Sequence, residues 1–212
     1  MAESKAEKKK SPTRNVEATK ARFLGAVEAL LRKEGLQALG VNAIAEKAGR
    51  DKALIYKYFG DLDGLYASFA ATAGLFPSQE EMLGPVAAKA AKMGSLDLVK
   101  ALASGYLREI RKRPLTLEIL RWELVVQNPL TTALSEYRTR QTLAFNALVR
   151  APAGVDLAAV TSLVYGGMVY LLLKSSVPGK FNELDLKDDA AWARIEKAVH
   201  RLLEGLYPAA KR

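Results

Sequence analysis

Residues 35–65 read GLQALGVNAIAEKAGRDKALIYKYFGDLDGL, and this stretch decides the fold. Val41, Ile44, Ala45 and Ala48 fall on one face of a short helix over residues 41–48, and its alanines let a neighbouring helix approach closely. Gly49 follows, supplying the positive φ of a tight turn. A third helix is expected from about Asp51 to Phe59, with Asp51 accepting from the free amides of its first turn. Ile55 and Phe59 point to a core, which leaves Lys52, Ala53, Tyr56 and Lys57 outside. Two readings are open: a helix-turn-helix whose second helix enters a DNA major groove, and a helical hairpin with a solvated basic face.

Upstream, Phe23, Val27, Leu30 and Leu31 give a first helix that ends at Gly35. Downstream, a fourth helix is expected over residues 62–76, stopped by Pro77. Ser78 and Glu81 stand in capping-box register for a short helix, with another short piece over 86–93. Longer helices follow over 95–112, 114–127, 130–149, 156–176 and 188–206. The Val and Ile residues nowhere alternate with polar ones over a useful length. The expectation is an all-α chain of nine or ten helices.

The chain has 212 residues and a formal charge of +9. Residues 1–60 hold 13 Lys and Arg against 7 Asp and Glu, so the first quarter carries two thirds of the net charge. Such asymmetry points to a small nucleic-acid-binding head on a nearly balanced body. Residues 1–14 are basic without an apolar anchor, and read either as a flexible basic arm or as a solvated terminus. No apolar run of a secretory signal follows them. The most apolar stretch, 157–173, falls short of the roughly 20 residues of a membrane span and reads as a helix buried on all sides. A cytoplasmic chain without a membrane partner is expected.

With no cysteine and one histidine, His200, thiol chemistry and multi-histidine metal sites are excluded. No nucleophile–base pair, metal cluster or phosphate loop is legible. The expectation is a protein that is not an enzyme and has no metal and no cofactor.

Residues 35–65, with the first helix, resemble the DNA-binding domain of the TetR family of bacterial transcriptional regulators. The resemblance rests on Gly35, Val41, Ile44-Ala45, Ala48-Gly49, Leu54-Ile55, Tyr56, Tyr58-Phe59 and Leu65. It implies a three-helix helix-turn-helix DNA-binding domain over 15–60, behind the arm, and a helical ligand-binding and dimerisation domain over 61–212. Lys52, Ala53 and Tyr56 then fall on groove-facing positions and Tyr58 on a phosphate position; Asn42, Arg50 and Lys57 complete the expected DNA-binding set. Three residues depart from the family pattern. Gly40 stands where Thr or Ser usually caps the second helix, Arg50 where a small apolar residue follows the turn glycine, and Leu62 where a lysine usually holds a phosphate.

In the body, Tyr106, Trp122, Glu123, Gln127, Phe145, Tyr165 and Met168 mix aromatic area with polar handles and are candidates for a ligand cavity; each is otherwise core or surface. Trp192, Ile195, Val199, Leu202 and Leu206 are spaced 3, 4, 3, 4 along the last helix, a packing seam. The preceding helix offers Val160, Val164 and Leu171 along one side, with Gly167 permitting close approach. Each seam alone reads first as intramolecular core; the resemblance implies a homodimer interface. It further implies a repressor of a palindromic operator in double-stranded DNA, released by a small apolar or aromatic effector. The alternative is a helical interaction module whose basic head binds nucleic acid without sequence preference.

If the charge asymmetry marks a DNA head, affinity for DNA falls steeply with salt, because each neutralised phosphate releases counterions. Deleting residues 1–10 should lower affinity and flatten the logarithmic salt slope without changing the preferred sequence. An unchanged slope in filter-binding titrations would remove the arm from the interface.

Overall fold

A computed structural model of the chain describes residues 12–207. Its ten α-helices are α1 (Pro12–Glu34), α2 (Val41–Ala48), α3 (Ala53–Phe59), α4 (Leu62–Thr72), α5 (Gln79–Leu83), α6 (Ser95–Arg111), α7 (Pro114–Glu123), α8 (Pro129–Asn146), α9 (Leu157–Lys174) and α10 (Asp189–Leu206). A 3-10 segment, Gly84–Lys92, joins α5 to α6. Among the described residues there is no β-strand, only an isolated bridge between Phe181 and Leu184. The expected arm lies outside the described residues up to 11, and residues 12–14 belong to α1.

The chain divides into two units, one ending at Ala73 and one beginning at Gly74. Helix α4, which the sequence reading placed in the second domain, packs against α1 and α3. The core of the first unit is Phe23, Val27, Ile44, Ile55, Leu65 and Phe69, all essentially without solvent exposure. Phe23 meets Phe59 edge to face, ring centres 6.2 Å apart. Asp61 caps α4, its carboxylate accepting from the Gly64 amide at 2.7 Å.

Helix α4 stops at Thr72 rather than at Phe76. The carbonyls beyond it are taken by side chains instead: Arg113 Nε donates to the Gly74 oxygen at 3.2 Å and the Thr116 hydroxyl to that of Leu75. Helix α7 likewise ends at Glu123, short of the expected 127. The Asn128 side chain accepts from the Thr131 amide and the Thr131 hydroxyl from the Asn128 amide. This capping box starts α8 afresh and leaves Leu124–Gln127 as an exposed connection. The capping box at Ser78 and Glu81 forms as expected.

In the second unit α6 is the central helix, packed on α5, α7, α9 and α10. The crossing with α5 is so close that a Cβ on Gly105 would stand 1.9 Å from the Met82 carbonyl oxygen, so only glycine fits. Helix α9 is not buried on all sides. Only Thr161, Met168 and Leu172 are fully covered, although by length and composition this helix would suffice to cross a membrane.

Glu109 on α6 is almost fully buried, and its carboxylate accepts from Arg108 Nε at 2.9 Å, Lys112 Nζ at 2.9 Å and Arg113 Nη1 at 3.1 Å. The bond from Lys112 first, then those from Arg108 and Arg113, hold its pKa down from the ordinary 4.5 to about 2. A carboxyl whose pKa falls on folding contributes stability above its unfolded pKa and loses it as pH drops toward the folded one. Thermal melts should therefore weaken as pH falls from about 4.5 to 2. Glu109→Gln should flatten that dependence and cost about 1–3 kcal/mol near neutral pH. A Gln variant that keeps the full acid sensitivity would assign it to another carboxyl.

Candidate functional site

The α2–turn–α3 unit is built as a rigid corner. Gly49 adopts φ 61°, ψ 43°, and its amide and that of Arg50 bond back to the Glu46 and Ala45 carbonyls at 3.0 and 3.1 Å, closing α2. The Asp51 carboxylate accepts from the Ala53 amide at 2.8 Å and starts α3. Ile55 is fully buried, and that single anchor fixes which side of α3 faces outward.

The outward side carries most of the expected set. Lys52, Ala53, Tyr56 and Lys57 are exposed, at the i, i+1, i+4 and i+5 spacing of one helix face. Asn42, exposed on α2, accepts from Lys52 Nζ at 3.3 Å, so the starts of the two helices share one polar contact. Arg50 folds back to donate to the Gly49 carbonyl at 2.9 Å and is half-buried. Tyr58 is also half-buried, with Lys57 Nζ 5.9 Å from its ring centre. Gly40 caps α2 without any side-chain hydrogen bond.

The second unit encloses a cavity of about 350 Å³ among α5, α6, α7, α8 and α9. Four of the seven expected residues line it: Tyr106, Glu123, Phe145 and Tyr165. Trp122, Gln127 and Met168 are not among its wall residues. Trp122 is half-buried one position from Glu123 on α7, Gln127 is exposed in the connection to α8, and Met168 is buried core. Tyr106 and Tyr165 meet edge to face at 5.0 Å. Burial pushes the Tyr106 hydroxyl up to about 12, with Arg138 opposing, and also raises that of Tyr165, so both remain protonated donors at neutral pH.

Arg138 is the one charged wall residue absent from the expected set. Its two terminal nitrogens donate to the two oxygens of Glu123, each at 2.6 Å, in a bidentate pair. The residues lie on different helices and share no helical register, so nothing local announces the pair. Phe76, Pro77, Met82 and Leu120 form much of the apolar wall. Phe76 and Pro77 belong to the stretch expected as helix and its stop, which the shorter α4 leaves free.

The expected dimer residues separate into two groups. Ile195 and Val199 are buried within the protomer, where α10 packs on α6. Val160, Val164 and Leu206 line a narrow apolar seam with Val99, Ala103 and Leu203, and Leu171 is half-buried. Gly167 and Leu202 are exposed, Leu202 by 65%. The 3, 4, 3, 4 seam on α10 is thus intramolecular core for Trp192, Ile195 and Val199, and its inward residue in the last turns is Leu203 rather than Leu202.

Residues 23–69 match the family described as bacterial regulatory proteins, tetR family. The matched segment lies within the first unit of the chain. No curated protein matches the chain. Among solved structures it is similar to the fatty acid degradation regulator FadR from Bacillus halodurans, at 17% identity over 93% of this chain and 97% of that one, with a TM-score of 0.60. It is also similar to a TetR-family regulator from Streptomyces coelicolor, at 20% identity over 94% and 99% of the chains and a TM-score of 0.53. Thermus thermophilus FadR, a TetR-family repressor in complex with lauroyl-CoA, aligns at 15% identity over 91% and 97% of the chains, with a TM-score of 0.50. At such identities the likeness is one of fold.

Beside the TetR pattern, the departures have visible local consequences. Gly40 leaves α2 without a side-chain cap, and Leu62 occupies the first position of α4, where Asp61 supplies the cap. One pairing was invisible in the sequence. Ser104 Oγ and His200 Nε2 stand 2.8 Å apart, joining α6 to α10 one turn from the Lys100–Glu204 ion pair, which closes at 2.6 Å. Packed between two helices, this Ser–His contact reads as a tether.

Because Lys52 and Tyr58 differ in exposure and direction, they separate experimentally. Lys52→Ala should cost roughly 1–3 kcal/mol on the cognate site and relax preference at one base position, whereas Tyr58→Phe should weaken all sequences alike. Competition binding on cognate and random duplexes measures both; equal losses everywhere for Lys52→Ala would make it a phosphate contact.

Proposed function

We propose that the chain is a TetR-family regulator, a cytoplasmic homodimeric repressor. Its two heads bind a palindromic operator, and a small apolar or aromatic effector in the α6–α9 cavity releases it. The outward row of Lys52, Ala53 and Tyr56 on a helix anchored by Ile55 is the observation that supports the reading most. A lysine amine beside a small residue and a phenol suits base edges and phosphates in a major groove. The walled cavity in the second unit, and the fold likeness to a regulator solved with lauroyl-CoA, support control by a small molecule. Such an effector must bind the DNA-incompetent state better than the competent one, since equal affinity shifts nothing.

A palindrome read by two heads requires twofold symmetry. Helix α9 supports it with an uncovered apolar face: Ala159, Leu163, Gly167 and Tyr170 recur at helical spacing, with Leu163 78% and Tyr170 54% exposed. On α10, Ala198, Leu202 and Gly205 are exposed at the same spacing. We place the second copy against these two faces, the small residues permitting close helix contact.

The deciding experiment is selection of bound duplexes followed by footprinting. The reading expects a symmetric site with half-sites a whole number of helical turns apart; protection without a preferred sequence would reject it. For assembly, Leu163→Glu and Leu202→Glu should each give monomers in sedimentation and lose operator binding while keeping a cooperative melt, because a charge is costly where partners exclude water. Ile195→Glu should instead abolish the cooperative melt. Dimers that survive both surface substitutions would move the interface elsewhere.

A further inference from the structure

The cavity is unevenly polar. One face of α8 turns Arg138, Gln141, Thr142 and Asn146 into it, at the i, i+3, i+4 and i+8 positions that share a helix face. This polar strip spans about 12 Å along the helix at 1.5 Å per residue. The rest of the wall is mainly apolar and aromatic: Phe76, Met82, Leu120 and Val169, with the edge-on Tyr106–Tyr165 pair. Among the described residues the Gln141 amide makes no hydrogen bond within the chain. Asn146 reaches Thr161 only at 3.4 Å, so both amides retain capacity for a ligand.

Charge narrows the choice further. Only Glu123 and Arg138 among the wall residues are charged, and each occupies the other through two parallel bonds. An anionic ligand that sought Arg138 would lie against Glu123 or have to displace it, and either is costly in a partly buried site. No other wall cation stands ready for a carboxylate or for phosphates. A single-headed acyl chain would leave most of the polar strip facing methylenes, with its amides unpaired. Aromatic walls favour rings, and the volume lies at the low end for small-molecule pockets.

Resting on the reading of this cavity as the effector site, we infer that its ligand is an uncharged, elongated ring compound with hydroxyl or carbonyl oxygens along one edge, and not a fatty acid or an acyl-CoA. The oxygens pair with the Gln141 and Asn146 amides; the Thr142 hydroxyl, which donates to the Arg138 carbonyl at 3.0 Å, accepts from a ligand hydroxyl, and the rings lie against Phe76 and the two tyrosines.

Isothermal titration of the full-length protein tests this with five probes: dihydroxybiphenyl, monohydroxybiphenyl, biphenyl carboxylate, dodecanoate and lauroyl-CoA. Dihydroxybiphenyl should bind tightest, about tenfold better than the carboxylate. The double variant Gln141→Leu/Asn146→Leu should lose about tenfold for the diol and much less for the mono-ol. Val169→Phe, checked by its melt, should abolish binding of the diol; if it does not melt cooperatively, Ser162→Phe blocks the same wall. Tighter binding of dodecanoate or lauroyl-CoA, lost in the blocking variant, overturns the ligand class while sustaining the effector cavity. Binding of the diol that the blocking variant leaves intact overturns the cavity reading itself, as does an absence of binding by all five probes. An undiminished diol affinity in the double leucine variant overturns the polar strip.

Discussion

Arg113 holds the second unit in register. Its guanidinium donates to the Gly74 carbonyl, to the carboxylate of Glu81, and to both the carbonyl and the carboxylate of Glu109. Gly74 at the entrance to the unit and Glu81 on α5, some thirty to forty residues upstream, are thereby fixed to the end of α6 by one side chain. Arg108 reinforces the junction by donating to the Glu81 and Met82 carbonyls at 3.0 and 3.1 Å, across the contact that Gly105 makes possible. The cavity inherits its wall from this junction: Phe76, Pro77 and Met82 stand where these bonds put them. Arginine suits the position because its planar fork serves several acceptors at fixed angles, which a lysine ammonium does not.

The head was far more legible in the sequence than the body, for a local reason. Within residues 35–65 everything needed is short-range: the 41, 44, 45, 48 spacing, a glycine at the left-handed turn, and an anchor at Ile55. Helix periodicity therefore reported the outward face of α3 directly. In the body the same periodicity located helices but not their ends. Helix α4 ends where Arg113 and Thr116, some forty residues later, capture its next carbonyls, and α7 ends where Asn128 begins a new cap. The Glu123–Arg138 pair was out of reach for the same reason. The helical spacing of the polar strip was legible in principle, since 138, 141, 142 and 146 share a helix face, but only a tertiary partner distinguishes a cavity wall from a solvated one.

The two C-terminal helices show how apolar spacing alone misleads. On α10 the heptad-like residues mostly face the chain's own α6, and the step from Leu202 to Leu203 decides which leucine is outside. On α9 high apolarity implies complete burial, yet only Thr161, Met168 and Leu172 are fully buried in the single chain and one face is exposed. A helix that apolar and that exposed is costly in water, and the cost falls away once a like surface covers it.

The mutual neutrality of Glu123 and Arg138 also bears on how the binding specificity of this scaffold drifts over evolutionary time. The cavity's lack of net charge rests on one carboxylate, and Glu to Gln is a single-base change in the genetic code. That one step would leave a partly buried guanidinium uncompensated, a loss of stability that an anionic ligand repairs on binding. The neutral cavity and its anion-seeking descendant are therefore adjacent in sequence, with no rebuilding of the walls between them.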